Sequence, residues 1–161
     1  MDPYTLICTI LKESSGKVES MKKLQKLAYF CKVRGVKLNA KFKMYKYGPY
    51  AETIGWALGI LEGNEFIKLV RVENNIEISL TEQGEKLYYE SNNNIKEVIR
   101  EFKDWSPYQL EIAATAHYLD SFDALKIHKI KPHYSIDKIE KVLEKFKKSK
   151  LFCKETNSYV P

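Results

Sequence analysis

The sequence predicts a mainly α-helical fold that contains one β-hairpin. Apolar residues recur at helical spacing over most of the 161 residues, which indicates amphipathic helices. Two β-rich runs are separated by Glu73, Asn74 and Asn75, and asparagine suits the backbone of a tight turn. The composition, 44% hydrophobic and 30% charged, is that of a globular chain able to form its own core.

Three helices are predicted before the hairpin. The first spans 2–15, with Asp2 as its cap, and the second spans 21–34, with Ser20 as its cap and Gly35 as its end. Residues 37–47 fit either a short strand or an extended loop, and Gly48 and Pro49 indicate a turn. The third helix is expected over 50–62. The glycines inside it favour close approach of another backbone.

The hairpin is predicted from two runs, 66–72 and 76–80. Thr81 then caps an expected fourth helix over 82–90. Three helices, a hairpin and a capped helix in this order are typical of a winged helix-turn-helix. We therefore predict a winged-helix-like domain over residues 1–91.

A C-terminal helical lobe is predicted over 95–161 and is expected to pack on the first domain. The asparagines at 92–94 indicate the boundary. Helices are predicted over 95–105, from Ser106 to about Leu119, and over 136–148 with Ser135 as the cap. The tail from Lys150 is expected to be ordered only if it docks.

Positive charge is concentrated near the start of the chain, although the whole chain carries only +6. Residues 12–46 contain eleven Lys and Arg against two Glu, whereas 47–94 contain three against eight. Such a segment either attracts phosphate backbones or is a solvated lysine-rich surface. The third helix has no Lys or Arg, so nucleic-acid contacts would come from elsewhere, and the candidates are Lys22, Lys23, Lys26, Lys41, Lys43, Lys46 and Arg71.

Aromatic residues cluster before and within the third helix. The rings around Gly48 and Pro49 suit either contact with nucleic acid or a partner protein, or attachment of the loop to the core. Trp56 is expected either as an exposed anchor for a protein partner or as a side chain buried against the C-terminal lobe. The candidate partner-binding residues are Tyr47, Tyr50, Glu52 and Trp56.

Two motifs carry a resemblance to a known group. The segment KLQKLAYF at 23–30, followed by YKYGPY at 45–50, resembles the YwgA-like and Panacea (SocA-like antitoxin) group of prokaryotic proteins. The resemblance covers residues 20–87. It implies a regulator or a toxin-neutralising protein.

The sequence favours a non-enzymatic protein. Nucleotide-binding, zinc-protease and serine-hydrolase motifs are missing, and no metal or other cofactor is expected. The three cysteines, Cys8, Cys31 and Cys153, are an odd number at wide spacings, which argues against a disulfide framework, and Cys8 and Cys31 are predicted to be buried free thiols. The chain is expected to be cytoplasmic, without membrane spans.

The predicted function is a DNA-associated transcriptional regulator that uses a basic surface for backbone contacts. The alternative is a protein-protein interaction module of the antitoxin or adaptor type. Expected partners are double-stranded DNA, bound weakly and in a salt-dependent way, or a protein such as a toxin. A homodimer through the C-terminal lobe is also predicted.

Overall fold

The computed structural model describes residues 1–88 and 92–149, and this part of the chain is mainly helical. The helices are α1 (Pro3–Glu13), α2 (Met21–Val33), α3 (Glu52–Gly63), α4 (Asn93–Phe102), α5 (Pro107–Leu119), α6 (Ala124–Ile130) and α7 (Ile136–Lys147). The strands are β1 (Lys17–Val18), β2 (Lys43–Tyr45), β3 (Gly48–Tyr50), β4 (Ile67–Val72) and β5 (Asn75–Leu80). The expectation of a mainly α fold is therefore confirmed.

Local capping explains where the first helices begin, as the sequence predicted. The Asp2 carboxylate accepts a hydrogen bond from the Thr5 amide at 2.8 Å, and Ser20 Oγ accepts one from the Lys23 amide at 3.0 Å. Each bond satisfies an amide that the first turn of a helix leaves without an internal acceptor.

Two antiparallel sheets replace the single predicted hairpin. The β4–β5 hairpin is present, and β1 pairs with β5 to make a three-stranded sheet of order β1-β5-β4. A second hairpin joins β2 to β3. The prediction of one hairpin was wrong because neither β1, of two residues, nor β2 and β3, of three each, has enough length to show strand periodicity.

Gly48 and Pro49 do not form the predicted turn. They lie in β3, paired with Tyr45 and Met44, and α3 begins two residues later than expected. Gly48 has φ +93°, and a Cβ there would lie 2.9 Å from Thr115 Oγ1 on α5. This glycine serves close packing of the β2–β3 hairpin against α5.

The predicted helix after Thr81 is a short 3-10 turn, Gly84–Leu87, while residues 89 and 90 lie outside the described part. Thr81 Oγ1 does accept a hydrogen bond from the Gly84 amide, at 3.1 Å. A Cβ on Gly84 would lie 2.1 Å from the Phe66 carbonyl oxygen. The chain is thus held tightly against the start of β4 at this point.

Two of the C-terminal helices, α5 and α7, begin at the predicted caps, whereas α4 begins two residues before the predicted start, with Asn92 as its cap. Ser106 and Gln109 form a reciprocal capping box at the start of α5, and Ser135 caps α7. The short helix α6 was not predicted. The predicted tail from Lys150, including Cys153, lies outside the described residues.

Helix α2 lies at the centre of the core and packs against α1, α4 and α5. Phe30 of α2 stacks on Phe102 of α4 with ring centroids 4.6 Å apart, and its centroid lies 5.7 Å from that of Phe146 on α7. Core residues before and after position 92 belong to one continuous cluster. Among the described helices, none combines the length and apolar character that crossing a membrane requires.

Candidate functional site

A chemically varied surface depression lies between the β2–β3 hairpin and the first turns of α3. It has a volume of about 200 Å³. It combines two tyrosines, one tryptophan, two lysines, one glutamate and one threonine, and we call it the aromatic–lysine cleft: Lys41, Lys43, Tyr45, Tyr50, Glu52, Thr53 and Trp56.

Aromatic rings form one part of the cleft. Trp56 is 65% exposed and Tyr45 is 43% exposed. The ring of Tyr50 packs edge-to-face on Tyr45, with centroids 5.3 Å apart. Tyr50 also lies over α3, because a Cβ on Gly55 would be 2.3 Å from the Tyr50 hydroxyl. The close approach predicted for this glycine therefore involves a side chain, and it fixes Tyr50 beside the exposed indole.

Polar groups of the cleft gather at the start of α3. The Tyr45 hydroxyl donates to Glu52 Oε1 at 3.1 Å, and this hydrogen bond raises the pKa of the Tyr45 phenol. Thr53 Oγ1 is buried and has no hydrogen-bond partner among the described residues. Ala51 caps α3 without a side-chain acceptor. This end of the helix therefore keeps unused hydrogen-bonding capacity next to a carboxylate.

A buried ionic group lies beneath the hairpin, and we call it the Glu111 cluster. Glu111 is completely buried on α5. Its Oε1 accepts hydrogen bonds from Lys22 Nζ and the Tyr134 hydroxyl, each at 2.9 Å, and its Oε2 lies 2.9 Å from Lys131 Nζ. Two cations and one phenol thus surround one carboxylate, which offsets much of the cost of burying its charge.

The cluster and its neighbour Lys26 attach the hairpin to the helices. Lys131 Nζ donates to the Lys46 carbonyl oxygen, and Lys26 Nζ donates to the Pro49 carbonyl oxygen at 3.0 Å. Just after the hairpin, Gln25 exchanges two hydrogen bonds with the backbone of Ala51, each 3.0 Å long. The β2–β3 hairpin and the residue that follows it are therefore held from α2 and from the segment after α6.

Burial and neighbouring charges shift the pKa values of Glu111 and Lys26 in opposite directions. Burial alone would raise the pKa of Glu111, but hydrogen bonds from Lys22 and Lys131 outweigh it and leave that pKa lowered. Burial lowers the pKa of Lys26 to about 7, against a weaker opposing effect of Glu111. Glu111 is consequently ionised at neutral pH, and Lys26 is a group that can lose its proton near neutrality.

The predicted site residues separate into three sets. The cleft brings together five of them: Lys41, Lys43, Tyr50, Glu52 and Trp56. Lys22, Lys46 and Tyr47 lie beside it, where both lysine ammonium groups approach the Tyr47 ring, at 5.0 and 5.4 Å. The remaining residues do not line the cleft.

Lys23 and Lys26 are buried, and Arg71 is exposed on β4, in a different part of the fold. Lys23 is committed to Glu19 and to the Lys103 carbonyl oxygen. The ammonium groups of Lys23 and Lys26 therefore serve internal contacts.

Sequence reasoning missed the Glu111 cluster and Thr53. A signal for Glu111 was present, since it is the one charged residue in the run Leu110–Ala116, whose other members are apolar except for Thr115. Nothing local pointed to Lys131 or Tyr134, because their partners are distant in the sequence.

Among the described residues, we find neither a reactive thiol nor a group of metal ligands. Burial raises the pKa of the Cys8 thiol to about 11 and raises that of Cys31 as well, so both are poor nucleophiles. Within 1–88 and 92–149, no three His, Cys, Asp or Glu side chains are grouped so as to hold a metal ion.

Comparison with known proteins gives one informative similarity. No family model matches the chain. The chain is 31% identical over 116 residues to a DNA ADP-ribosyl glycohydrolase of Thermus aquaticus. The match includes 67% of this chain but only 31% of that protein, so the chain spans about a third of the length of the curated relative.

This similarity contradicts the predicted function. The expectations of a non-enzymatic transcriptional regulator, or of an interaction module of the antitoxin or adaptor type, were wrong on this comparison, because the similar protein is named as an enzyme that acts on DNA. The non-enzymatic prediction relied on the absence of nucleotide-binding, zinc-protease and serine-hydrolase motifs. Those motifs identify only a few enzyme classes, and glycoside hydrolysis requires none of the three.

Proposed function

We propose that this chain acts in the hydrolytic removal of ADP-ribose from DNA. The observation that carries the proposal is the 31% identity, over two thirds of the chain, to a DNA ADP-ribosyl glycohydrolase. In such a reaction, water adds to the anomeric carbon of the ribose, the bond from that carbon to DNA breaks, and the leaving atom of DNA takes up a proton.

Glu52 is the residue we assign to this chemistry. Glycoside hydrolysis uses carboxylates to activate water and to stabilise positive charge on the sugar. Glu52 is exposed in the aromatic–lysine cleft, and its carboxylate is oriented by the Tyr45 hydroxyl. Glu111 is unsuitable because it is fully buried and already neutralised by two lysines.

The exposed lysines of the hairpin region supply the DNA contact in this proposal. Lys41 and Lys43 line the cleft, and Lys46 is exposed next to it. Lysines bind phosphate without reading the base sequence. Their position favours DNA whose backbone passes along the hairpin while its modified nucleotide faces Glu52.

We also infer a winged-helix arrangement for the first 80 residues. It is supported by the order α1, β1, α2, α3, β4, β5, into which the β2–β3 hairpin is inserted between α2 and α3, and by the pairing of β1 with β5. The resemblance to the YwgA-like and Panacea group stays a prediction, as do the two-domain division and the homodimer.

The test is a glycohydrolase assay with a DNA oligonucleotide that carries ADP-ribose, with released ADP-ribose measured by chromatography. We expect release by the full chain and a loss of about 100-fold or more in Glu52→Gln, the range attributed to one acid-base group. Glu62→Gln, an exposed glutamate at the other end of α3, is the matched control and should keep full activity. Absence of release at stoichiometric protein would refute the proposal.

A further inference from the structure

Three lysines lie close to one carboxylate beneath the β2–β3 hairpin. Glu111 forms ion pairs at 2.9 Å with Lys22 and with Lys131. Lys26 interacts electrostatically with all three groups and is only 1% exposed, yet it has no ion pair with any described residue. This part of the fold therefore holds more positive charge than its one carboxylate balances, and a buried charge without a partner is costly.

Two polar groups beside Gly48 keep hydrogen-bonding capacity that the described residues do not use. The Lys26 ammonium group has three N–H donors, and among these residues it donates to the Pro49 carbonyl oxygen alone, at 3.0 Å. The Thr115 hydroxyl is fully buried and has no hydrogen-bond partner within 1–88 and 92–149. The point where a Cβ on Gly48 would stand lies 3.4 Å from Lys26 Cε and 2.9 Å from Thr115 Oγ1. Both groups thus border the same space, where a bound acceptor would satisfy them.

A small pocket opens from this position to the surface, and we call it the tyrosine pocket. Its volume is about 240 Å³, and it is lined by three tyrosines, two lysines and one glycine: Lys26, Tyr45, Lys46, Tyr47, Gly48 and Tyr50. Lys26 is the buried lysine of the pair and Lys46 the exposed one. The ammonium groups of Lys22 and Lys46 lie 5.0 and 5.4 Å from the centre of the Tyr47 ring. Cations and aromatic residues therefore line the pocket, and its described lining includes no carboxylate.

We propose that the tyrosine pocket binds a phosphate-type oxyanion, which accepts hydrogen bonds from Lys26 and Thr115 and pairs with Lys46. Such an anion offers several acceptor oxygens and supplies the negative charge that the lysines lack. The tyrosines favour a phosphate monoester with an aromatic body, because an aromatic ring adds contacts that inorganic phosphate cannot make. This inference does not depend on the proposed function, since the pocket shares only Tyr45 and Tyr50 with the aromatic–lysine cleft.

Binding of the anion should be linked to uptake of a proton. Burial lowers the pKa of Lys26 to about 7, against the opposing charge of Glu111 on α5 and in the same direction as the charges of Lys131 and Lys22. Lys46 on the hairpin is the further charged group of the pocket. An anion beside the Lys26 ammonium group favours the charged form and so raises this pKa. Above pH 7 the free protein therefore takes up a proton when the anion binds.

The affinity should consequently fall as the pH rises. A phosphate monoester, whose second pKa is about 6, is already a dianion at pH 8, so its own charge is constant above that value. The protonated fraction of Lys26 falls about 10-fold between pH 8 and pH 9, and the affinity should fall by about the same factor. Affinity that stays constant over this range would overturn the assignment of Lys26 to the anion.

Isothermal titration calorimetry of the full chain with phenyl phosphate and with inorganic phosphate tests the site. At pH 8, measurements in two buffers of different ionisation enthalpy should show uptake of nearly one proton. Tighter binding of phenyl phosphate would support a phosphate monoester as the ligand, and equal binding would support the free ion in the same site. If neither probe binds at millimolar concentration, or if binding takes up no proton, the inference is overturned.

Two variants separate a binding role from a structural one. Thr115→Val replaces an unpartnered buried hydroxyl by a methyl group, so it should keep or raise the Tm while it weakens phenyl phosphate binding about 10-fold. Lys26→Met should abolish both binding and proton uptake. Lys126→Gln, at an exposed position on α6, is the matched control and should bind like wild type. Wild-type affinity in Thr115→Val with an unchanged circular dichroism spectrum, or proton-linked binding by Lys26→Met, would contradict the proposal.

Discussion

Replacing Glu111 with glutamine should destabilise the protein strongly. Glutamine keeps the shape of the side chain but removes the negative charge that lies 2.9 Å from both Lys22 and Lys131. Glu111 is fully buried and the Lys131 side chain is 1% exposed, so solvent does little to screen the remaining charge of Lys131. Removing one partner of a buried ion pair costs about 3–5 kcal/mol.

Urea and thermal unfolding of wild type and Glu111→Gln at pH 7 measure this effect. For a chain of this size, each kcal/mol lowers the Tm by about 2–4 °C, so we expect a decrease of about 6–20 °C. Glu144→Gln, at an exposed position on α7, is the matched control and should stay within about 0.5 kcal/mol of wild type. A loss below about 1 kcal/mol in Glu111→Gln would refute the reasoning.

The pH dependence gives this prediction a second readout. The pKa of Glu111 is lowered in the folded state, so its contribution to stability is complete above its ordinary value of 4.5. The contribution is lost as the pH falls through the folded pKa. The difference between wild type and Glu111→Gln should therefore shrink below pH 4.5. A difference that stays constant into that range would show that the charge is not its cause.

Two further predictions concern the attachment of the hairpin. Gly48→Ala should destabilise the fold by about 1–3 kcal/mol, because φ is +93° and the new Cβ would meet Thr115 Oγ1 at 2.9 Å. Gly59→Ala, in open space inside α3, should instead stabilise by up to about 1 kcal/mol, and chemical denaturation of both variants checks the contrast. Lys26→Met should remove a rise in the wild-type free energy of unfolding between about pH 7 and pH 10.5, where only the unfolded chain keeps the Lys26 proton. If the free energy of unfolding depends on pH in the same way in wild type and in Lys26→Met across that range, the lowered pKa of Lys26 is contradicted.

The helices were predictable because their signals are local. Ser20, Ser106 and Ser135 each cap a helix through an amide three residues away, so a short window of sequence contains both partners. The strands were harder to predict. The two residues of β1 form a strand only because β5, some 60 residues later, pairs with them, and no local pattern encodes that pairing.

The candidate site was predictable in part because some of its residues, too, lie close together in the sequence. Helical spacing alone places Glu52 and Trp56 at outward positions of the third helix. Their neighbours Lys41 and Lys43 are close in sequence, and the β2–β3 hairpin brings them to the same cleft. The support beneath was not predictable, since Lys131 reaches the Lys46 carbonyl across 85 residues.

The Glu111 cluster and Lys26 supply hydrogen bonds to the β2–β3 hairpin that the hairpin cannot make within itself. Two three-residue strands form a marginal hairpin in water, and in this fold only one hairpin strand, β3, packs closely on α2 and α5. Lysine-to-carbonyl hydrogen bonds at Lys46 and Pro49 fix the two ends of its turn region. Because Lys131 is itself oriented by Glu111, loss of that carboxylate should loosen the position of Tyr45 and, through its hydrogen bond, of Glu52. Burying Glu111 and Lys131 costs free energy of desolvation. In return, their contacts hold the short hairpin, and with it the aromatic–lysine cleft, in one geometry.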